Sequence, residues 1–180
     1  MLQTMYRRRS IRKYAAEPLT PEQTRQILAA ALLAPTSHNR KPCRFIAVSD
    51  RDTLTKMAAA KESGAKFLGE APLAVVVTAD ESVSDIWVED AAIAAAYIQL
   101  AAESIGLNSC WSQIRRRPHR GEGEQTEWAE DYLRQLLGLA PPIRILAVVA
   151  IGRAIAPKQP RREEDLPWEH VSYYTSIFKK

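Results

Sequence analysis

Between Ala91 and Ala102, seven of the twelve residues are alanine, and the others are Ile93, Tyr97, Ile98, Gln99 and Leu100. Alanine favours helix, yet this stretch offers no polar stripe that could face water. The helix, expected over 84–105 and stopped by Gly106 at the C′ position, must therefore be buried. Its small side chains let neighbouring helices approach closely. Leu73-Ala74-Val75-Val76-Val77-Thr78 is a nearly continuous β-branched run, which suits a strand covered on both faces. Ile143 to Ile151 reads the same way. A sheet covered twice needs helices above and below it.

The 180 residues leave room for one such core, so 1–180 is expected to be a single domain. Thr20-Pro21-Glu22-Gln23 opens a helix: Thr20 caps it, Pro21 takes the first position, and Gln23 completes a capping box. That helix ends by Pro35. Cys43–Val48 predicts a strand, 52–61 a short helix, and Trp128, Tyr132, Leu133, Leu136 and Leu137 one face of another helix, ended at Gly138. Strand–helix pairs are too few for a doubly wound sheet. The expected class is α+β, a small central sheet between two helical layers. The tail, 156–180, is rich in proline and charge and then carries Tyr173, Tyr174, Ile177 and Phe178. Such aromatics either pack on their own domain or lie as an arm over a partner subunit.

Common catalytic signatures do not occur. There is no P-loop and no G-x-S-x-G elbow. Gly121-Glu122-Gly123-Glu124 follows a basic stretch rather than a strand, and its glutamates would repel a pyrophosphate, so it reads as a loop. His38, His119 and His170 are far apart, and Cys43 and Cys110 have neither CxxC spacing nor a Cys/His partner set, so no metal site is expected. Glu89-Asp90 reads as acid complementing a helix dipole. Reduced cysteines, no signal-like apolar stretch and no membrane-spanning run lead to a cytoplasmic expectation. An enzyme with these residues would rely on a cofactor for the chemistry and supply binding and electrostatics itself.

The net charge is only +4, but five of the seven residues Arg7–Lys13 are cationic. Such a cluster can be a solvated tail, a nucleic-acid patch or a phosphate clamp. A nucleic-acid patch would need interleaved aromatics or a recognition helix beside it. A clamp uses the paired, charge-assisted hydrogen bonds that guanidinium gives to phosphate.

Taken in order, the motifs resemble those of the nitroreductase family. Arg8-Arg9-Ser10-Ile11-Arg12-Lys13-Tyr14 is similar to its opening R-R-S-x-R-x-[FY]. The stretch Pro35-Thr36-Ser37-His38-Asn39-Arg40-Lys41-Pro42-Cys43-Arg44-Phe45 is similar to P-[ST]-x-x-N-x-[QK]-P-W-x-F. Glu89-Asp90 before the alanine helix, Gly106-Leu107-Asn108-Ser109-Cys110-Trp111, and Ile151-Gly152 with the distal Arg161-Arg162 continue the series.

The resemblance implies a three-layer α/β/α sandwich with a mostly antiparallel sheet, and a homodimer with the C-terminal arm exchanged over the partner. It implies FMN as cofactor, NADH or NADPH as co-substrate, and ping-pong hydride transfer through flavin N5 to a nitroaromatic, quinone or related small-molecule acceptor. It implies no nucleic-acid or membrane partner. Residue by residue, it puts Arg8, Ser10 and Arg12 on the phosphate, ribityl chain and pyrimidine edge, with Arg9 beside them. Pro35, Thr36, Ser37 and Asn39 come from the other subunit. Main-chain groups of Trp111, Ser112 and Gln113 lie near N5 and O4, and Arg161 or Arg162 closes over the phosphate. Arg12 or Lys13 would balance the negative charge that a reduced flavin gains near N1. The chain departs from the pattern at Cys43, where the family has tryptophan, and at Ser112-Gln113, where it commonly has Ile-Gly. The segment between Thr78 and Glu89 is also short, which predicts an open pocket and an acceptor that is large or held by another protein.

Overall fold

Each of the two long apolar runs becomes a strand buried on both faces, and these two strands form the middle of the sheet. The computed structural model describes residues 1–120 and 127–174. Helix α1 covers Leu2–Arg7 and α2 Pro21–Leu32. Strand β1 (Cys43–Val48), helix α3 (Arg51–Ala58), strand β2 (Leu73–Asp80) and helix α4 (Trp87–Ser104) follow. Then come β3 (Asn108–Gln113), a small hairpin of β4 (Pro118–Arg120) and β5 (Glu127–Trp128), α5 (Ala129–Leu136) and β6 (Ile143–Gly152).

The main sheet has the order β1-β2-β6-β3, and every pairing is antiparallel. Alternation along β2 divides the core in two. Leu73, Val75, Val77 and Ala79 pack with Ile27 and Ala31 of α2 and with the alanines of α4. Ala74 and Val76 face Leu54 and Met57 of α3 and Leu133 of α5. The three-layer sandwich is therefore present. α4 packs against α2, and its alanines have no side chain long enough to force the axes apart. Among the described residues no helix is long and apolar enough to cross a membrane.

Some element bounds differ from the sequence reading. α4 starts at Trp87 rather than Ser84, because the Ser84 hydroxyl is committed to the Asp90 carboxylate instead of capping the helix. α3 stops at Ala58, before Lys61. The Thr20 capping box forms as read, with Gln23 N–H donating to Thr20 Oγ1 and Thr20 N–H to Gln23 Oε1. The loop reading at 121–124 lies outside the described residues, as do Ile177 and Phe178.

Gly152 closes β6 at a crowded point against Pro72 and Tyr14. A methyl there would stand 2.7 Å from Pro72 Cδ and 2.9 Å from Tyr14 Cδ1. A proline ring and a buried tyrosine have little freedom to withdraw. Gly152→Ala is expected to cost about 2 kcal/mol, lowering Tm by about 4–8 °C in a thermal melt.

Candidate functional site

The basic stretch after α1 is extended backbone laid along the outer edge of β3. Ile11 N–H donates to Ser109 O at 3.1 Å, and Ser10 bridges Ser109 in parallel sense. Farther on, Ala15 N–H donates to Arg153 O at 2.9 Å, and Ile155 N–H to Lys13 O at 3.3 Å. The N-terminal segment is thus held between β3 and the chain that leaves β6.

This placement turns Arg8, Ser10 and Arg12 toward Cys110 of β3. Burial pushes the Cys110 thiol above its ordinary range, while Arg12, the Ser10 hydroxyl, Lys158 and Arg8 pull it back. Three cations therefore act on one buried point of β3. The Arg12 guanidinium lies over the Phe67 ring, 5.8 Å from its centroid. Neither Arg8 nor Arg12 forms an ion pair among the described residues, whereas Arg7 is engaged with Glu103 at 3.6 Å. Arg9 donates to the carbonyl of Gln159 and borders a polar groove of about 340 Å³ with Lys158 and Asn108. Lys13, the alternative to Arg12, is exposed as Arg12 is, and of the two only Arg12 lies over a ring among the described residues.

The end of β3 is pinned on both faces. On the α4 side, Trp111 Nε1–H donates to Gln113 Oε1 at 3.0 Å, and Gln113 Nε2–H to Arg115 O at 3.1 Å. On the α3 side, Ser112 Oγ–H donates to Gly64 O at 3.0 Å, and the Lys61 ammonium to Gln113 O at 2.7 Å. Burial, assisted by Arg117, holds the Lys61 pKa below the ordinary lysine value. Lys61 was not singled out from the sequence; its lone position in Ala60-Lys61-Glu62 carries no motif, and only the fold brings it to Gln113. It adds a fourth cation to the site. Within the other basic cluster, Arg115 and Arg116 border a separate cleft with Trp87, Trp128 and Glu130, while Arg117 lies near Lys61.

Pro35, Thr36, Ser37 and Asn39 lie at the opposite rim of the sheet, leading into β1. With β2 and β6 between, the axes of β1 and β3 are about 14 Å apart at the usual strand spacing. One chain therefore does not bring this loop to the arginines. The loop is tightly wound: His38, Asn39 and Lys41 have φ of 49°, 55° and 53°. Side chains rarely adopt this left-handed region, and asparagine tolerates it best. Lys41 N–H donates to Thr36 Oγ1 at 3.0 Å, and Ser37 N–H to the buried Asp90 Oδ1 at 2.9 Å. The sequence marks Asp90 as a helix-start acid and as part of the Glu89-Asp90 motif; its partner 53 residues away is invisible to sequence spacing. Cys43, in the tryptophan position, is half-buried, and burial with the nearby Asp90 carboxylate pushes its thiol up to about 11.

Of the distal pair, Arg162 is occupied by Glu164 at 3.0 Å and Asp165 at 2.9 Å. Arg161 N–H donates to Tyr6 O at 2.9 Å, which sets it beside α1. Beyond them Trp168, Tyr173 and Tyr174 are 54%, 84% and 96% exposed. A largely apolar groove of about 730 Å³ runs beside α2 and β1, lined by Pro18, Leu19, Leu28, Leu32 and Pro72 among others. No group of three or more potential ligating side chains is arranged for a metal among the described residues.

A family model described as "Nitroreductase family" matches residues 5–66 and 54–153. A protein of Archaeoglobus fulgidus bearing the name NADH dehydrogenase/NAD(P)H nitroreductase is 38% identical over 155 residues, covering 84% of this chain and 83% of its own. The Bacillus subtilis protein named FMN reductase [NAD(P)H] is 31% identical over 122 residues, 56% of this chain and 49% of its own. The solved structure of an FMN-dependent nitroreductase from Clostridium difficile R20291 superposes with a TM-score of 0.92 at 36% identity, covering 98% of this chain and all of the other.

Proposed function

The chain belongs to the nitroreductase family, and from that premise we propose that it is an FMN-dependent NAD(P)H oxidoreductase whose flavin site is shared by two copies of the chain. The observation that carries this reading is the meeting of Arg8, Ser10, Arg12 and Lys61 at β3. These residues fit the cofactor. Arg8 and Arg12 have no competing carboxylate among the described residues and offer fork-shaped donors to a phosphate or a pyrimidine edge.

FMN, when bound, supplies the redox chemistry, accepting hydride from NADH or NADPH and passing it to a nitroaromatic, quinone or related small acceptor. The chain's own part is placement and charge. Arg8 and Ser10 hold the phosphate and ribityl chain, with Arg9 beside them. Arg12 is favoured over Lys13 for the pyrimidine edge because it faces Phe67 and Cys110, and Lys61 shares that task. Cations at that edge stabilise a reduced, anionic ring without having to reorganise. The main chain of Trp111–Gln113, fixed by Lys61 and by the Gln113 side chain, borders the ring's N5 and O4. Arg161 closes over the phosphate, since Arg162 is already paired.

Pairing of two copies supplies the loop Pro35–Asn39, which one protomer keeps at the far rim. The exposed aromatics of the tail support an arm laid over the partner. The connection from β2 to α4, residues 81–86, is made of turns alone, which supports an open pocket and a large or protein-held acceptor. Both cysteines are free, as suits the reducing cytoplasm.

Freshly purified protein is expected to be yellow, to run at twice the chain mass in size-exclusion chromatography, and to release FMN rather than FAD on denaturation. NADH or NADPH should bleach the bound flavin under anaerobic conditions. A colourless protein that fails to take up added FMN, or a bound flavin that neither nucleotide reduces, would overturn the assignment.

A further inference from the structure

We infer that the buried carboxylate of Asp90 is a positioning residue for the flavin, acting through the Pro35–Lys41 loop on the site completed by the partner subunit. The inference deepens the flavin reading above and rests on it. Asp90 is 2% exposed in the first turns of α4 and has no cationic partner among the described residues. Burying a carboxylate without a cation is costly. If the charge served only the helix dipole, the exposed neighbour Glu89 would be enough.

Each Asp90 oxygen has a defined task. Oδ1 accepts from Ser37 N–H at 2.9 Å, and Oδ2 accepts from Ser84 Oγ–H at 3.2 Å. Ser37 opens the turn in which His38 and Asn39 are both left-handed. A strained turn persists only when its surroundings hold it. Asp90 ties the start of this turn to the rigid core, with α4 as the support, while at its end Arg40 pairs with the exposed Asp85 at 3.1 Å. The loop it fixes carries Thr36, Ser37 and Asn39, which one chain keeps two strands away from its own arginines. The carboxylate therefore governs the loop half of a site whose arginine half is on the other protomer.

The test uses apoprotein titrated with FMN. Asp90→Ala is expected to raise the FMN Kd about 10- to 100-fold, the loss of one hydrogen bond to a charged acceptor. Asp90→Asn keeps an acceptor for Ser37 N–H and should stay within a few-fold of wild type. Ser37→Pro, which deletes the N–H from the loop side, should behave like Asp90→Ala, and Glu89→Ala, which removes the exposed acid beside Asp90 without touching the loop, should leave binding unchanged. The decisive sample is a purified heterodimer with Arg8→Ala in one protomer and Asp90→Ala in the other. If Asp90 acts across the interface, one site per heterodimer is intact and binds FMN with wild-type affinity. If it acts within its own chain, each site carries one lesion and none is tight. Absence of a tight site, or wild-type affinity in both Asp90→Ala and Ser37→Pro, overturns the inference while the flavin reading stands. Should Asp90→Ala fail to fold, Ser37→Pro takes its place in the heterodimer. Failure of the flavin reading is distinct: there the wild-type protein itself does not bind FMN.

Discussion

Changing Arg8 and Arg12 together to alanine is expected to weaken FMN binding by about two to four orders of magnitude. A charge-assisted contact contributes about 1.5–3 kcal/mol, and each 1.4 kcal/mol is about tenfold in affinity. The two side chains bear on the same point of β3, so their losses need not add simply, which sets the width of the range. Arg8→Ala alone should cost about one to two orders of magnitude by the same figures. Arg116→Ala should do little, because Arg116 borders the cleft around Trp87 and Trp128. Fluorescence titration of apoprotein with FMN measures all of these. Tm without flavin should hardly change, since neither Arg8 nor Arg12 has an ionic partner to lose among the described residues. Equal losses from Arg8→Ala and Arg116→Ala would remove the N-terminal cluster from the site.

Glu130→Ala should have the largest effect on stability. Glu130 is 5% exposed at the start of α5, where its Oε1 accepts from Arg144 Nε at 2.6 Å and from the buried Ile145 N–H at 3.0 Å. Its Oε2 accepts from Arg144 Nη2 at 3.0 Å. These bonds, and the charge behind them, hold the Arg144 guanidinium firmly protonated. Removing one partner of a buried pair costs about 3–5 kcal/mol. Here the low end, about 3 kcal/mol, applies, because the Arg144 side chain is one-third exposed and regains some water. A Tm lower by about 6–12 °C follows for a domain of this size. Glu130→Gln keeps an acceptor for Ile145 and should lose about half as much. Glu81→Ala, which removes the exposed partner of Arg144, should cost no more than about 1 kcal/mol. Comparable losses from Glu81→Ala and Glu130→Ala would show that the buried hydrogen bonds do not dominate.

The sandwich was legible where chemistry is local. Val75, Val76 and Val77 announce a twice-covered strand, the α4 alanines announce a buried helix, and Thr20-Pro21 announces a helix start. β3 was not read as a strand, because Asn108-Ser109-Cys110-Trp111-Ser112-Gln113 lacks the β-branched pattern. It is a strand because β6 pairs on one side and Ser10-Ile11 lies on the other. α1 has no side-chain cap and buries no residue, so nothing in Leu2–Arg7 marks it. In the candidate site the arginines were visible as charge and the loop as a motif. Lys61 was not, and Asp90 was visible only as an acid of the Glu89-Asp90 motif, since each acts on a partner more than fifty residues away, at Gln113 and Ser37.

The position of β6 has a consequence for synthesis. It is the last strand among the described residues, yet it stands inside the sheet, between β2 and β3. Until residues 143–152 emerge from the ribosome, β2 and β3 have no common neighbour, and one edge of each stays open. The nascent chain cannot assemble its sheet stepwise from the N-terminus; nearly all of its length must be available before the central pairings lock. Chaperone dependence should therefore be greatest just before β6 is translated and fall sharply once it has been.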